Sequence, residues 1–281
     1  QGLKSGFESC WHPHFGTDTI SAEEPTVLSL WNSRKTADFL KQGIVKLSQI
    51  EQDDLKFDGD MTSPLTGLAR QWLQIEKVKN HDSSVYLDKA GLAEQLAKFN
   101  YPLHFIDFET STAALPFFKG MVPYETIAFQ FSQHTLHENG TVEHKTQFLG
   151  VTPGSFPNFD FVRALKQALT SDEGTIFCYS KHENTVLTHI LLQLERSGEQ
   201  DKAGLIDFIK TITKSSKDIV PGWQGKRVMV DMLELVKGYY YDPVTGGSNS
   251  IKDVLPAMLA RCTMLQSIYS LPVYGTVTMP S

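Results

Sequence analysis

Residues 101–112 read YPLHFIDFETST, an apolar run that carries two acids, Asp107 and Glu109. In a strand, side chains at i and i+2 point to one face, so Asp107 and Glu109 project together while Ile106 and Phe108 enter the core beneath. Two carboxylates that close repel unless a proton or a cation separates them, and an all-oxygen ligand set suits Mg²⁺ or Mn²⁺. The plainer alternative is a half-exposed strand whose polar residues merely face water.

Upstream, KAGLAEQLAKF at 89–99 is a predicted helix that leads through Asn100 and Pro102 into this strand. Before it, Thr66 to Val78 reads as an amphipathic helix with Leu68, Trp72 and Ile75 on one face and Arg70, Gln71 and Gln74 elsewhere. Between Val27 and Ile50 the pattern predicts a helix with Asn32 or Ser33 as N-cap and Gly43 closing it. Residues 1–30, with Pro13, Gly16 and Pro25, read as an irregular lead-in.

Downstream of Glu109, a loop rich in small and aromatic residues ends in KGMVPYE and lies where a substrate would enter. ETIAFQFSQHTL then alternates, with Ile127, Phe129 and Phe131 on one face and Gln130, Ser132 and His134 on the other. HENGT turns the chain and VEHKTQFL returns it, which makes an antiparallel meander. Asp160 to Leu169 is an amphipathic helix, TIFCYS at 175–180 a buried strand, and HENTVLTHILLQLER a helix spaced by Val186, Ile190 and Leu194. A further helix follows after Lys202, then a strand in RVMVDML at 227–233 and a helix in SIKDVLPAML capped by Ser250.

HFIDFETSTAALPFF and PYETIAFQFSQH resemble the opening of a DnaQ-like, DEDD-type exonuclease domain. With SGFESCW near the start, LARQWLQIE, CYSKHENTVL and GYYYDPVTGGSNSIKDVLPAM, they resemble a bacterial family found with RecB-like nuclease regions and catalogued mainly as a domain of unknown function. The resemblance implies an RNase H-like α/β fold, a mixed sheet flanked by helices over residues 96–281, behind a mainly helical region at 1–95. It implies metal-dependent 3′–5′ cleavage of DNA or RNA by two divalent ions held by carboxylates. Asp107 would be shared by both ions, Glu109 would serve the water-activating one, and Glu183, which opens its helix where the family pattern has Asp, would be the second-motif acid. A structural alternative for Glu183 is complementing the helix dipole. Asp231, at a strand end, is a substitute ligand or a support for the others. Ser250 and Lys252 open a helix in a geometry that suits a substrate phosphate, and His182 is the histidine nearest any motif. The family's fourth acid follows a segment like Tyr274 to Thr276, and no Asp, Glu or His occurs after Asp253. The domain is therefore expected to be incomplete at its C-terminus, and this 281-residue form to bind metal weakly and be nearly inactive. The alternative is a non-catalytic nucleic-acid-binding or scaffold module of the same fold.

Composition sets outer bounds. The 281 residues are 41% hydrophobic and 21% charged, ordinary for a globular chain. No apolar run approaches a bilayer span and no basic region precedes an apolar one at the N-terminus, so the expectation is a cytoplasmic protein without a membrane partner. Cys10, Cys178 and Cys262 fit neither a disulfide framework nor a metal spacing. A net charge of −6 opposes broad phosphate binding. Locally the balance reverses, because Lys210, Lys214, Lys217, Lys226 and Arg227 face the single acid Asp218 between Phe208 and Val230.

Overall fold

The computed structural model of the chain describes residues 6–16, 24–215 and 222–270. In chain order the elements are α1 (Gly6–Phe15), α2 (Thr36–Lys41), α3 (Gln52–Leu55), α4 (Gly67–Lys79), β1 (Tyr86–Leu87), α5 (Lys89–Leu96), β2 (Leu103–Ser111), β3 (Ile127–Leu136), β4 (Val142–Leu149), α6 (Asn158–Leu169), β5 (Ile176–Cys178), α7 (His182–Arg196), α8 (Lys202–Ile212), β6 (Val230–Asp231), α9 (Met232–Tyr239), β7 (Tyr240–Tyr241), α10 (Ile251–Arg261) and α11 (Thr263–Tyr269). They form two compact units, one of residues 92–235 and one of 1–91 with 236–281. The sequence places a boundary near residue 95. The structure divides the chain at 91/92 and groups the segment after 235 with the N-terminal residues.

The 92–235 unit is a mixed α/β fold around a five-stranded sheet of order β4-β3-β2-β5-β6. β2 is central, antiparallel to β3 on one side and parallel to β5 on the other. Its alternation sends Ile106 and Phe108 into a core shared with Phe161 and Leu165 of α6, Leu187 and Ile190 of α7, and Phe208 and Ile209 of α8. Phe161 keys the layers together, because its ring meets those of Phe108, Phe131 and Phe148 edge-on at 4.8, 5.3 and 5.8 Å. On the opposite face Phe105 stacks on Phe177, which takes Phe99 edge-on. The β3–β4 turn closes by His137 N donating to Thr141 O at 2.9 Å, with Gly140 at φ +84°.

Two details depart from the sequence pattern here. The alternation of β3 breaks at Phe129, since Glu109 pairs with Gln130 and Thr110 with Ala128; Phe129 is the extra residue of a bulge, and Ala128 joins Phe131 in the core instead. The strand expected over 227–233 is only Val230–Asp231, followed directly by a helix. Asp231 Oδ1 accepts from Leu233 N at 2.9 Å, which satisfies an early amide of α9 and stops the strand there.

In the other unit, α4 is sheathed on almost every side. Its N-cap is Thr66, whose Oγ1 accepts from Ala69 N at 3.2 Å. The residues expected away from the apolar face are buried, with Arg70, Gln71 and Gln74 all under 10% exposed, as is Lys77, whereas Leu68 faces out at 43%. Distant polar groups explain it: Arg70 donates to the carbonyls of Val236, Lys237 and Tyr240 and to Asn249 Oδ1, Gln71 to Trp31 O, and Gln74 to Ser29 O. β1 pairs antiparallel with β7, and Asp242 is 1% exposed beneath a two-pronged bond from Arg261 at 2.6 and 2.9 Å. The irregular lead-in contains a helix, α1, anchored by the buried Trp11. The helix expected from Asn32 or Ser33 starts only at Thr36, because Val27–Ser29 forms a 3₁₀ turn and Asn32 takes φ +49°. Gly43, at φ +76°, follows its end.

Candidate functional site

The register of β2 sets the geometry. Asp107 stands opposite Ser132 and Glu109 opposite Gln130, and both acids are exposed while Ile106 and Phe108 between and beside them are buried. The bulge at Phe129 follows immediately, after which Thr110 and Ser111 resume the pairing opposite Ala128 and Ile127. One side of the central strand therefore offers two water-facing carboxylates at its C-terminal end.

A third acid comes from α7. Glu183 lies in that helix's first turn and is only 3% exposed. Burial raises its carboxyl from 4.5 to about 7, and the negative charges of Asp107 and Asp231 add to the rise, while its own backbone amide and that of Phe108 pull the other way. Its Oε2 has no hydrogen-bond partner among the described residues. Asp231, at the end of β6, uses Oδ1 to accept from Ser180 N at 2.7 Å and Leu233 N at 2.9 Å, and its buried Oδ2 is also unpartnered. The Ser180 bond holds a serine at φ +79°, a strained conformation at the bend between β5 and α7. The same two acids, after burial, push the Cys178 thiol up to about 12, which leaves it unreactive.

Glu183, in the first turn of α7, thus feels the charges of Asp107 on β2 and Asp231 on β6, with Glu109 two residues along from Asp107. Among the described residues no three His, Cys, Asp or Glu side chains are grouped closely enough to be a ready-made cage for a metal. The donor set nevertheless fits a hard cation, because two buried carboxylate oxygens stand unpartnered and Mg²⁺ typically takes one or two carboxylates, several waters and substrate phosphates. His182 reaches across to β2, its Nε2 3.2 Å from Thr110 Oγ1.

Ser250 and Lys252 belong to the other unit. Ser250 caps α10, its Oγ accepting from Lys252 N at 3.3 Å, and both residues are exposed. Of the basic stretch, Lys217 and Asp218 lie outside the described residues, as do Tyr274 to Thr276. Arg227 is structural: its guanidinium donates to Gly174 O at 2.6 Å, to Leu169 O, and to Asp172 Oδ1 at 3.2 Å. The sequence did not single out His104, which is fully buried below the acids on β2. Its Nδ1 faces Gln133 Nε2 at 2.9 Å and its Nε2 faces Asp172 at 2.7 Å, so the ring is neutral with the proton on Nε2, and burial holds its pKa down despite Asp172.

Residues 104–250, just over half of the chain, match the family described as Domain of unknown function (DUF2779). The chain belongs to this family. The match to DUF2779 opens at His104, within β2, and so includes the acids of β2, α7 and β6. No curated protein and no solved structure matches the chain. No described helix is long and apolar enough to cross a membrane.

Proposed function

We propose that this chain is a metal-dependent 3′–5′ exonuclease of RNase H-like, DnaQ-type fold, acting on phosphodiester bonds of DNA or RNA. The observation that carries the reading is Glu183: a carboxylate placed by α7 in a buried position, one oxygen unpartnered, within electrostatic reach of Asp107 on the central strand. The element order supports it, since three strands, a helix, a strand and a helix run from β2 to α7 as the RNase H-like reading requires.

Asp107, Glu109 and Glu183 would hold Mg²⁺ or Mn²⁺, with Asp231 available beside them. Bound there, such ions supply an activated water and neutralise charge on the leaving oxygen. Asp107 and Glu109 are open to solvent and so can meet a phosphodiester directly. Burial raises the Glu183 carboxyl to about 7, so below neutral pH it carries a proton that a bound cation would displace. Asp231 keeps the β5–α7 bend in place through Ser180.

The second reading, a non-catalytic nucleic-acid-binding module, is favoured by the lack of a pre-drawn three-ligand cage among the described residues. Labelled single- and double-stranded DNA and RNA incubated with Mg²⁺ or Mn²⁺ separate the two. The exonuclease reading expects any cleavage, however slow, to shorten the strand stepwise from the 3′ end and to be lost in Asp107→Asn. Retention of more than about a tenth of the wild-type rate, roughly 1.4 kcal/mol in barrier, would remove Asp107 from the mechanism. No cleavage and a melting temperature indifferent to Mn²⁺, with an oligonucleotide still bound, would favour the second reading.

A further inference from the structure

Between α8 and β6 the chain makes an excursion that doubles back on itself. Gly225 N donates to Thr213 O at 2.9 Å, Ser215 N to Trp223 O at 2.9 Å, and Lys214 bridges to Gln224. Trp223 stiffens this stem by donating its indole N–H to Thr213 Oγ1 at 3.1 Å, under the ammonium of Lys210 at 5.6 Å from the ring centroid.

The stem is fastened to the first turn of α7. Lys214 N donates to Asn184 Oδ1 and Asn184 Nδ2 donates to Lys214 O, each at 2.9 Å. Asn184 is the neighbour of Glu183, so Lys214 is pinned by its main chain beside the candidate acids. Any residue type would serve those two bonds, which leaves the ammonium unexplained. It is exposed and makes no ion pair among the described residues. Its charge is felt at Cys178, where it opposes the upward push of Glu183 and Asp231 on the thiol. A cation beside the positive end of a helix is locally unfavourable, and Lys181, also exposed, adds a second at the N-cap of α7.

We propose that Lys214 is a substrate-positioning residue that binds a backbone phosphate of a single nucleic-acid strand delivered to Asp107, Glu109 and Glu183. This rests on the nuclease reading above. A lysine ammonium gives three donors to phosphate oxygens without reading sequence, and each phosphate it neutralises steepens the salt dependence of binding.

The test is fluorescence anisotropy of a fluorescein-labelled single-stranded DNA oligonucleotide with the full chain in EDTA, over a salt series. Lys214→Ala is expected to weaken binding about fivefold and to reduce the slope of log affinity against log salt by about 1, with Lys214→Arg close to wild type. Lys98→Ala, an exposed lysine far along the sequence, should change neither. If wild type binds and Lys214→Ala matches it in affinity and slope, Lys214 has no such role and the nuclease reading stands unaffected. If wild type neither binds nor cleaves any oligonucleotide, both are overturned.

Discussion

Replacing Glu183 by Gln tests the electrostatics of the acid cluster without touching its shape. In the unfolded chain this carboxyl titrates near 4.5, and in the folded one near 7, chiefly because it is buried. Below the lower value it is protonated in both states and contributes nothing to pH dependence. As pH rises between the two, the unfolded state sheds its proton while the folded state keeps it, so stability falls; above about 7 the full penalty remains. A displacement of that size corresponds to about 3 kcal/mol. Wild type should therefore lose up to that much stability between pH 5 and pH 8 in EDTA. Glu183→Gln, which cannot ionise, should show a flatter profile and be the more stable protein at pH 8. In a chain of this size the gain amounts to a rise in melting temperature of about 5 °C. Urea and thermal unfolding followed by circular dichroism at both pH values measure it. Parallel pH profiles for the two proteins would refute the argument, because they would mean that Glu183 is already ionised in its site.

Further outcomes follow from the packing. Phe161→Ala should destabilise the sheet unit by about 3–5 kcal/mol in urea unfolding, since the ring is fully buried against three strands. Arg70→Ala should cost about 3–5 kcal/mol in the same assay, because it strands the carbonyls of Val236, Lys237 and Tyr240 and empties a position between Trp31 and Tyr241. Ser180→Gly should raise the melting temperature slightly, by up to about 1 kcal/mol in stability, since glycine adopts φ +79° without strain while its amide still reaches Asp231.

What the sequence revealed follows from the range of the interactions involved. The alternation in HFIDFE separates Asp107 and Glu109 from Ile106 and Phe108 as the strand does, and the capping signal at Ser250 marks a true helix start. Those depend on residues a few positions apart. The burial of Arg70, Gln71 and Gln74 was hidden because their acceptors are main-chain groups up to about 170 residues away, and helical periodicity sees only side-chain type. The Phe129 bulge was invisible for a related reason: a two-residue alternation cannot show where a partner strand skips one. Likewise, Glu183 was readable as an acid opening a helix, whereas its raised pKa arises from tertiary burial and from the charges of Asp107 on β2 and Asp231 on β6. A network such as His104, Gln133 and Asp172 joins three separate segments and leaves no local motif at all.

The claim that Asp107, Glu109 and Glu183 form a cation site is tested most directly by Mn²⁺ binding itself. Free Mn²⁺ is followed by electron paramagnetic resonance during titration of wild type, Asp107→Asn and Glu183→Gln at pH 8. The account predicts saturable binding by wild type that each substitution weakens at least tenfold, about 1.4 kcal/mol. Equal binding by all three proteins, or none by wild type at millimolar Mn²⁺, would contradict it.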